Sequence, residues 1–458
     1  MKPNHIQHLF WRVGFGITPN ELKNLSKKKK EVIVDNLFIA SKSTTLLEVD
    51  TSEIEAILSE GLKMSKENRR KVQMLSREKT KDLNIEWIKR LGNSMELLRE
   101  KMTLFWANVF VCEDNNVVYI KKFNNTLRKN ALGNFGDFAK AISKEAAMTK
   151  YLNTKQNRKQ KPNENFAREL MELFTLGEGH YTETDIKESA KAFTGYSHNA
   201  KGDFVFRKRQ HDETIKTFFG KTGNFVGDDI IDIILKEKQC ARFVCKKVYR
   251  YFVNDNINDN HINEMVDVFY GNYNIEKLMR HVFMSNWFYD EKNIGTKIKS
   301  PIEFLVGMNT IVPFEFQNKK QLLFLQKQLG QILLNPPNVA GWKGGKNWID
   351  SNTIVLRLKL PSILLNDAYI SKVKDGRPDG MEIKKMAFKK NYGKRFKTVT
   401  QWNVFNERFK TVNLEDMPLH VLNSEINSPT KNYLKTLDKI SKREYCIQLM
   451  SLPEYQMC

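Results

Sequence analysis

Apolar residues recur three and four positions apart along most of this chain, the spacing of helices with one buried face. Residues 52–110 keep that spacing for many turns, residues 94–153 give more helices, and among these Leu104–Val111 is almost wholly apolar and belongs in a core. The polar stretch Lys66–Asp82 reads as an exposed helix or a connection. Thr18, Pro19 and Glu21 supply the cap, the first-turn proline and the acid of a capping box. Further helices are expected at about 164–176 and 183–193, then from Gly227 past Phe288 with a break at Ser300-Pro301. Asp350 or Ser351 caps another, running to about Lys359, and a terminal helix covers about 431–451. The period shortens to two only at Asp203–Arg207 and Thr214–Phe218, which predicts a small β-hairpin near 203–218. The fold class expected is mostly α, a multi-helix globular protein.

At 458 residues the chain can bury a large core without staples. We divide it into a helical core over 1–365, a basic and weakly periodic insertion or lobe over 366–430, and a terminal helix and tail over 431–458 that packs on the core. The stretch Asn335–Trp348 is too rich in Pro and Gly for regular structure. Its two tryptophans imply an ordered loop, in which Trp342 either stacks on a sugar or a partner's side chain or locks the loop in place. Five cysteines without a Cys-x-x-Cys argue against a disulfide framework or a zinc site. Cys240 and Cys245 read as small apolar residues on one helix. The N-terminus lacks the apolar region of a signal peptide, and no stretch approaches the ~18 apolar residues of a membrane span. A cytoplasmic, soluble protein without a membrane role is therefore expected.

The charge balance is basic, 75 Lys+Arg against 53 Asp+Glu, or +22. It reads either as a surface for nucleic acid or anionic lipid or as a solvated Lys-rich surface, and charge runs favour the second. No helix-turn-helix, zinc or RNP motif supports nucleic-acid binding, which stays the weakest of the functional readings.

The densest chemistry lies in Asn163–Glu188. Asn163 caps a helix on which Asn165, Arg168, Glu169 and Glu172 share one face. Glu169 and Glu172 are candidates for a general acid/base pair, or for a hard divalent cation site completed by Glu178 and Asp185. The same spacing also suits an Arg–carboxylate network that ties helices together. Thr182 and Asp185 form a second capping box, and His180 is a lone loop histidine. His211-Asp212 offers a base oriented by a carboxylate, with Lys216 beyond it, or a turn closed by an Asx-type bond. Gly220-Lys-Thr fails as a phosphate loop because Ile215 stands where a glycine is required. No haem, nucleotide or zinc motif, serine elbow or di-iron pattern is present.

The run from Lys161-Pro-Asn-Glu-Asn-Phe-Ala-Arg-Glu-Leu-Met-Glu-Leu-Phe to Glu188, completed by Ala192-Phe-Thr-Gly195, resembles the hallmark of a bacterial family, domain of unknown function 1800. His8–Gly16, Ala131–Phe135, His211-Asp212, Gly223-Asn224, Ser300-Pro301 and Ser451–Tyr455 agree with it. The resemblance implies a mostly helical fold over nearly the whole chain and no agreed activity. It also implies a companion protein of the family domain of unknown function 1501, which looks like a phosphatase or sulfatase, and export signals in many relatives. Relatives commonly carry histidines on both sides of the position of Asn108, where this chain has Ala107 and Val109. Three functions therefore compete: an enzyme-like protein with a carboxylate-lined site, a non-catalytic partner of the companion protein, and a nucleic-acid binder.

Overall fold

Helix starts marked by their capping residues are closed by those same side chains in the computed structural model, which describes residues 1–61, 64–366, 396–437 and 440–458. Thr18 Oγ1 accepts from Glu21 N at 3.4 Å while Glu21 Oε2 accepts from Thr18 N at 3.1 Å. Thr182 with Asp185, Ser300 with Glu303 and Ser441 with Glu444 repeat the arrangement. Asp350 caps the helix Ser351–Leu365. The polar stretch from Lys66 is helical and continues to Asn93 as one long helix. It lies against Val117–Asn130 on one side and Pro301–Ile311 on the other.

Apolar faces of nearly all these elements meet in one continuous core. Leu104, Phe105, Trp106, Val109 and Phe110 are buried there, and Trp106 Nε1 donates to the carbonyl of Ala131 at 3.0 Å. Two adjacent residues of the helix Leu97–Ala107 carry buried charge in opposite directions. Glu100 accepts Arg128 Nε at 2.6 Å and Arg90 Nε at 2.7 Å. Lys101 Nζ donates to Glu303 Oε1 at 2.6 Å and to the carbonyl of Gly14 at 2.9 Å. Glu303 Oε2 meanwhile accepts from Ser300 N at 2.8 Å, so one carboxylate both caps its helix and receives the buried lysine. Among the described residues no helix is long and apolar enough to cross a membrane.

The protein is mostly α, as its pattern predicts, and strands are few. Residues Phe204–Phe206 and Lys216–Phe218 are strands, but they do not pair with each other. Phe204–Phe206 pairs with Tyr196–His198, and Lys216–Phe218 pairs with Lys221–Gly223. Each takes the nearer partner. Phe219 and Gly220 both adopt positive φ, the tight two-residue turn that closes a hairpin locally. The C-terminal part holds two helices, Ser428–Lys435 and Lys442–Met450, in place of the single one expected, because the Ser441 capping box starts a new helix. Residues 367–395 of the expected insertion lie outside the described residues. Beyond them, Thr398–Thr400 pairs with Phe314–Phe316, and Phe405, Phe409, Met417 and Val421 enter the core.

Burial pushes the Glu303 carboxyl up, but Lys101 and the Ser300 amide outweigh it and hold it at about 2. A carboxyl held below its unfolded value stabilises the fold above that value, and the contribution is lost as pH falls through the folded one. Denaturant unfolding followed from pH 6 to 2 should show wild type losing on the order of 3 kcal/mol more than Glu303→Gln over this range. Equal losses would remove Glu303 from the account.

Candidate functional site

The hallmark segment begins as an ordinary helix and then widens. Asn163 Oδ1 accepts from Asn165 N at 3.1 Å and starts the helix Asn165–Glu169. Leu170–Thr175 is a π turn. Leu176 N and Gly177 N both donate to the carbonyl of Met171, at 2.8 and 3.0 Å, and Thr175 Oγ1 donates to that of Leu170 at 2.5 Å. Gly177 leaves the turn at φ 87°, a left-handed conformation that suits glycine. The wider turn buries Met171, Phe174, Thr175 and Leu176 and leaves Leu173 half-buried. Such turns recur at functional sites.

Its polar residues divide into three sets. Arg168 grips Glu183 with both terminal nitrogens, at 2.9 and 3.1 Å, and reaches Glu164 at 3.4 Å. These groups are well exposed, so the bridge is a weak surface brace. The Arg–carboxylate network thus exists, but on Glu164 and Glu183. Glu172 accepts the Tyr181 hydroxyl at 2.7 Å. Burial and this carboxylate together push the Tyr181 phenol up. Glu169 is half-buried and makes no hydrogen bond or ion pair among the described residues. Burial raises its pKa, the charge of Glu172 adds to the rise, and Arg168 opposes it.

Tyr151 feels the charge of Glu169 and lines an open cleft. Burial, then Glu113, Cys112 and Glu169, push its phenol up to about 12. It stands in the wall of a cleft of about 880 Å³ between the helices Lys66–Asn93 and Lys319–Leu329. A reciprocal amide pair underlies the cleft: Asn84 Nδ2 donates to Gln326 Oε1 at 3.0 Å and Gln326 Nε2 to Asn84 Oδ1 at 2.7 Å. Asn84 also donates to the carbonyl of Leu333 at 2.8 Å, which fixes the entry to the Pro/Gly-rich loop. Arg77, Lys81, Lys150 and Lys327 line the cleft with Glu113 and Asp114, Lys150 paired to Asp114 at 2.9 Å, and apolar Leu323 and Phe324 stand among them.

The other sequence candidates stand apart from Glu169. His211 is buried, with Nδ1 2.9 Å from the carbonyl of Thr194 and its ring against Phe206. Asp212 does not orient it. Its Oδ1 accepts Thr214 N at 2.8 Å and the Thr214 hydroxyl at 2.5 Å, which closes an Asx-type turn. Burial pushes the Asp212 carboxyl up, but these two bonds leave it below its ordinary value. Lys216 is wholly buried and donates to the carbonyls of Asp212 and Thr214 at 2.6 and 2.9 Å. Thr194 and Glu183 lie at opposite ends of the helix Glu183–Ala192, so the His211 knot and the Arg168 brace are roughly 15 Å apart. Asp185 caps that helix and accepts Phe219 N at 3.3 Å. Glu178 and Asn165 are exposed. Among the described residues no three His, Cys, Asp or Glu side chains converge as a metal ion would require.

Trp342 is buried, and its backbone is clamped by Asn108: Oδ1 accepts Trp342 N at 2.8 Å and Nδ2 donates to Trp342 O at 3.1 Å. Gly341 has no room for a side chain, since a Cβ there would stand 2.3 Å from Asn108 Oδ1. On either side of Asn108, Ala107 is half-buried and Val109 lies in the core. Sequence reasoning missed Asn108 as a clamp and Tyr151 and Tyr181 as site residues. Tyr181 was within reach, because it directly precedes the Thr182 cap, whereas nothing local marks Tyr151.

Asn108→Ala should cost about 1–3 kcal/mol and speed amide hydrogen exchange at Trp342 and its neighbours, with the helical core unchanged. Unaltered exchange in the loop would mean that other contacts hold it.

No curated protein and no solved structure matches the chain. The model of the family DUF1800, described as a protein of unknown function, matches residues 8–457, and the chain belongs to that family.

Proposed function

We propose that this protein is enzyme-like, with Glu169 as its proton-transferring group and Glu172 as the fixed carboxylate beside it. One observation carries the reading: Glu169 is half-buried against another carboxylate and has no partner among the described residues, whereas Glu164, Glu172, Glu183 and Asp185 are all bonded. Burial and a like charge move a carboxyl toward neutrality, where it can both hold and release a proton. Tyr181 orients Glu172 by donating its hydroxyl to it. The cleft at Tyr151, where four cations outnumber the carboxylates Glu113 and Asp114 among apolar residues, suits a small anionic substrate with an apolar portion.

A second reading is a non-catalytic partner of another protein, such as the phosphatase- or sulfatase-like companion. Its support is the pair Ala107 and Val109, which carry no chemistry where the family resemblance leads us to expect histidines.

Purified protein incubated with a cell metabolite extract and followed by mass spectrometry separates the two. The enzyme reading predicts that wild type consumes at least one anionic metabolite. Glu169→Gln should lower that turnover by about 100-fold or more while its melting temperature stays within a few degrees. No turnover by wild type, or turnover indifferent to Glu169→Gln, contradicts it. A stoichiometric complex with a partner protein in the absence of turnover would favour the second reading.

A further inference from the structure

The hallmark glycine Gly195 gathers two basic segments that are far apart in the chain. Its amide donates to the carbonyl of Asn157 at 3.1 Å, and its carbonyl accepts from Arg207 N at 2.8 Å. It adopts φ 83°, and a Cβ there would lie 2.8 Å from the Arg207 carbonyl oxygen, so only glycine lets the segments approach this closely. Lys159 N donates to the carbonyl of Gln210 at 2.9 Å and completes the seam. One segment carries Lys155, Arg158, Lys159 and Lys161. The other carries Arg207, Lys208 and Arg209.

All of these side chains are exposed, and among the described residues none makes an ion pair or donates a hydrogen bond. Bringing like charges together is unfavourable unless something anionic covers them. Their crowding shows at Lys155, whose pKa is lowered by burial and then by Arg207 and Lys150. This is more than a solvated charge run, because the backbone actively holds two such runs side by side.

An aromatic platform stands in the same surface. Phe206, next to Arg207, is 40% exposed, and its ring is braced by His211 at 5.0 Å and Tyr196 at 6.0 Å. A braced, half-exposed ring offers a face for stacking. It is not the protruding anchor that inserts into a bilayer, and both basic segments are loops and short turns where bilayer-bound proteins use an amphipathic helix. A positive surface with an interleaved aromatic ring is the arrangement that binds single strands, phosphates on the cations and a base on the ring.

We infer that the surface joined at Gly195, with Phe206 at its centre, binds single-stranded nucleic acid. This goes beyond the acid–base reading and stands independently of it.

Fluorescence anisotropy of a labelled single-stranded oligonucleotide with the full chain tests the inference. Wild type should bind at low salt and weaken steeply as salt rises. Charge reversal of Arg207, Lys208 and Arg209 to Glu should lower affinity by at least tenfold and flatten the logarithmic salt slope by about 2. Arg158→Glu with Lys159→Glu, on the facing segment, should act in the same direction, so the result does not hang on one variant. Phe206→Ala should weaken single-strand binding by at least about fivefold and duplex binding much less. Several results would overturn the inference: no binding by wild type, equal binding by the charge-reversed variants, or binding to phosphatidylserine vesicles or polyglutamate without binding to the oligonucleotide.

Discussion

In a π turn each amide reaches one residue further back than in an α-helix, so the turn is wider and the side chains after it are rotated relative to those before it. The turn at Leu170–Thr175 has that effect at the centre of the family hallmark. It ends the α-helix at Glu169, keeps Glu172 beside it, and sends Met171, Phe174 and Thr175 into the core. An uninterrupted α-helix would bury Leu173 with Phe166 and Leu170 and leave the apolar packing to a different set of residues. The turn is closed by Thr175 Oγ1 and the double donation onto Met171.

Rigid supports surround that turn. The Tyr181 hydroxyl fixes Glu172, and Arg168 ties the start of the segment to the following helix. The cleft beside Tyr151 is held by the Asn84–Gln326 amide pair, and the loop that leaves it is clamped at Trp342 by Asn108. Buried Glu100 and Lys101 bind the helix that ends at Asn108 to four other parts of the fold, through Arg128, Arg90, Glu303 and the carbonyl of Gly14. The hallmark Gly195 works on a different surface, where it brings two basic loops together.

Much of this was legible in the sequence wherever the cause is local. The capping boxes at Thr18 and Thr182, the buried Leu104–Val111 segment and the Asx turn at Asp212 each follow from a few adjacent residues. What escaped depends on contacts distant in sequence or on backbone detail. The strand at Phe204–Phe206 was visible, but its pairing with Tyr196–His198 was not, because an alternating pattern does not name its partner. The helix expected over 431–451 is divided by a cap at Ser441 that periodicity alone passes over. The single helical face expected for Asn165, Arg168, Glu169 and Glu172 is interrupted by the π turn, which takes Glu172 out of the α-helix. The partners that separate them, Glu183 for Arg168 and Tyr181 for Glu172, come from the next turn and helix. The proximity of Lys155 and Arg207 depends wholly on the tertiary path through Gly195.

The claim on which the functional account turns is that Glu169 is a carboxyl shifted toward neutrality by burial and by Glu172. Carbon-13 NMR of the glutamate carboxyls over a pH titration, with Glu169→Gln to assign the resonance, measures this directly. The account predicts that Glu169 titrates above the ordinary glutamate range and moves back toward it in Glu172→Gln. A Glu169 that titrates in the ordinary range, or that ignores Glu172→Gln, would contradict it.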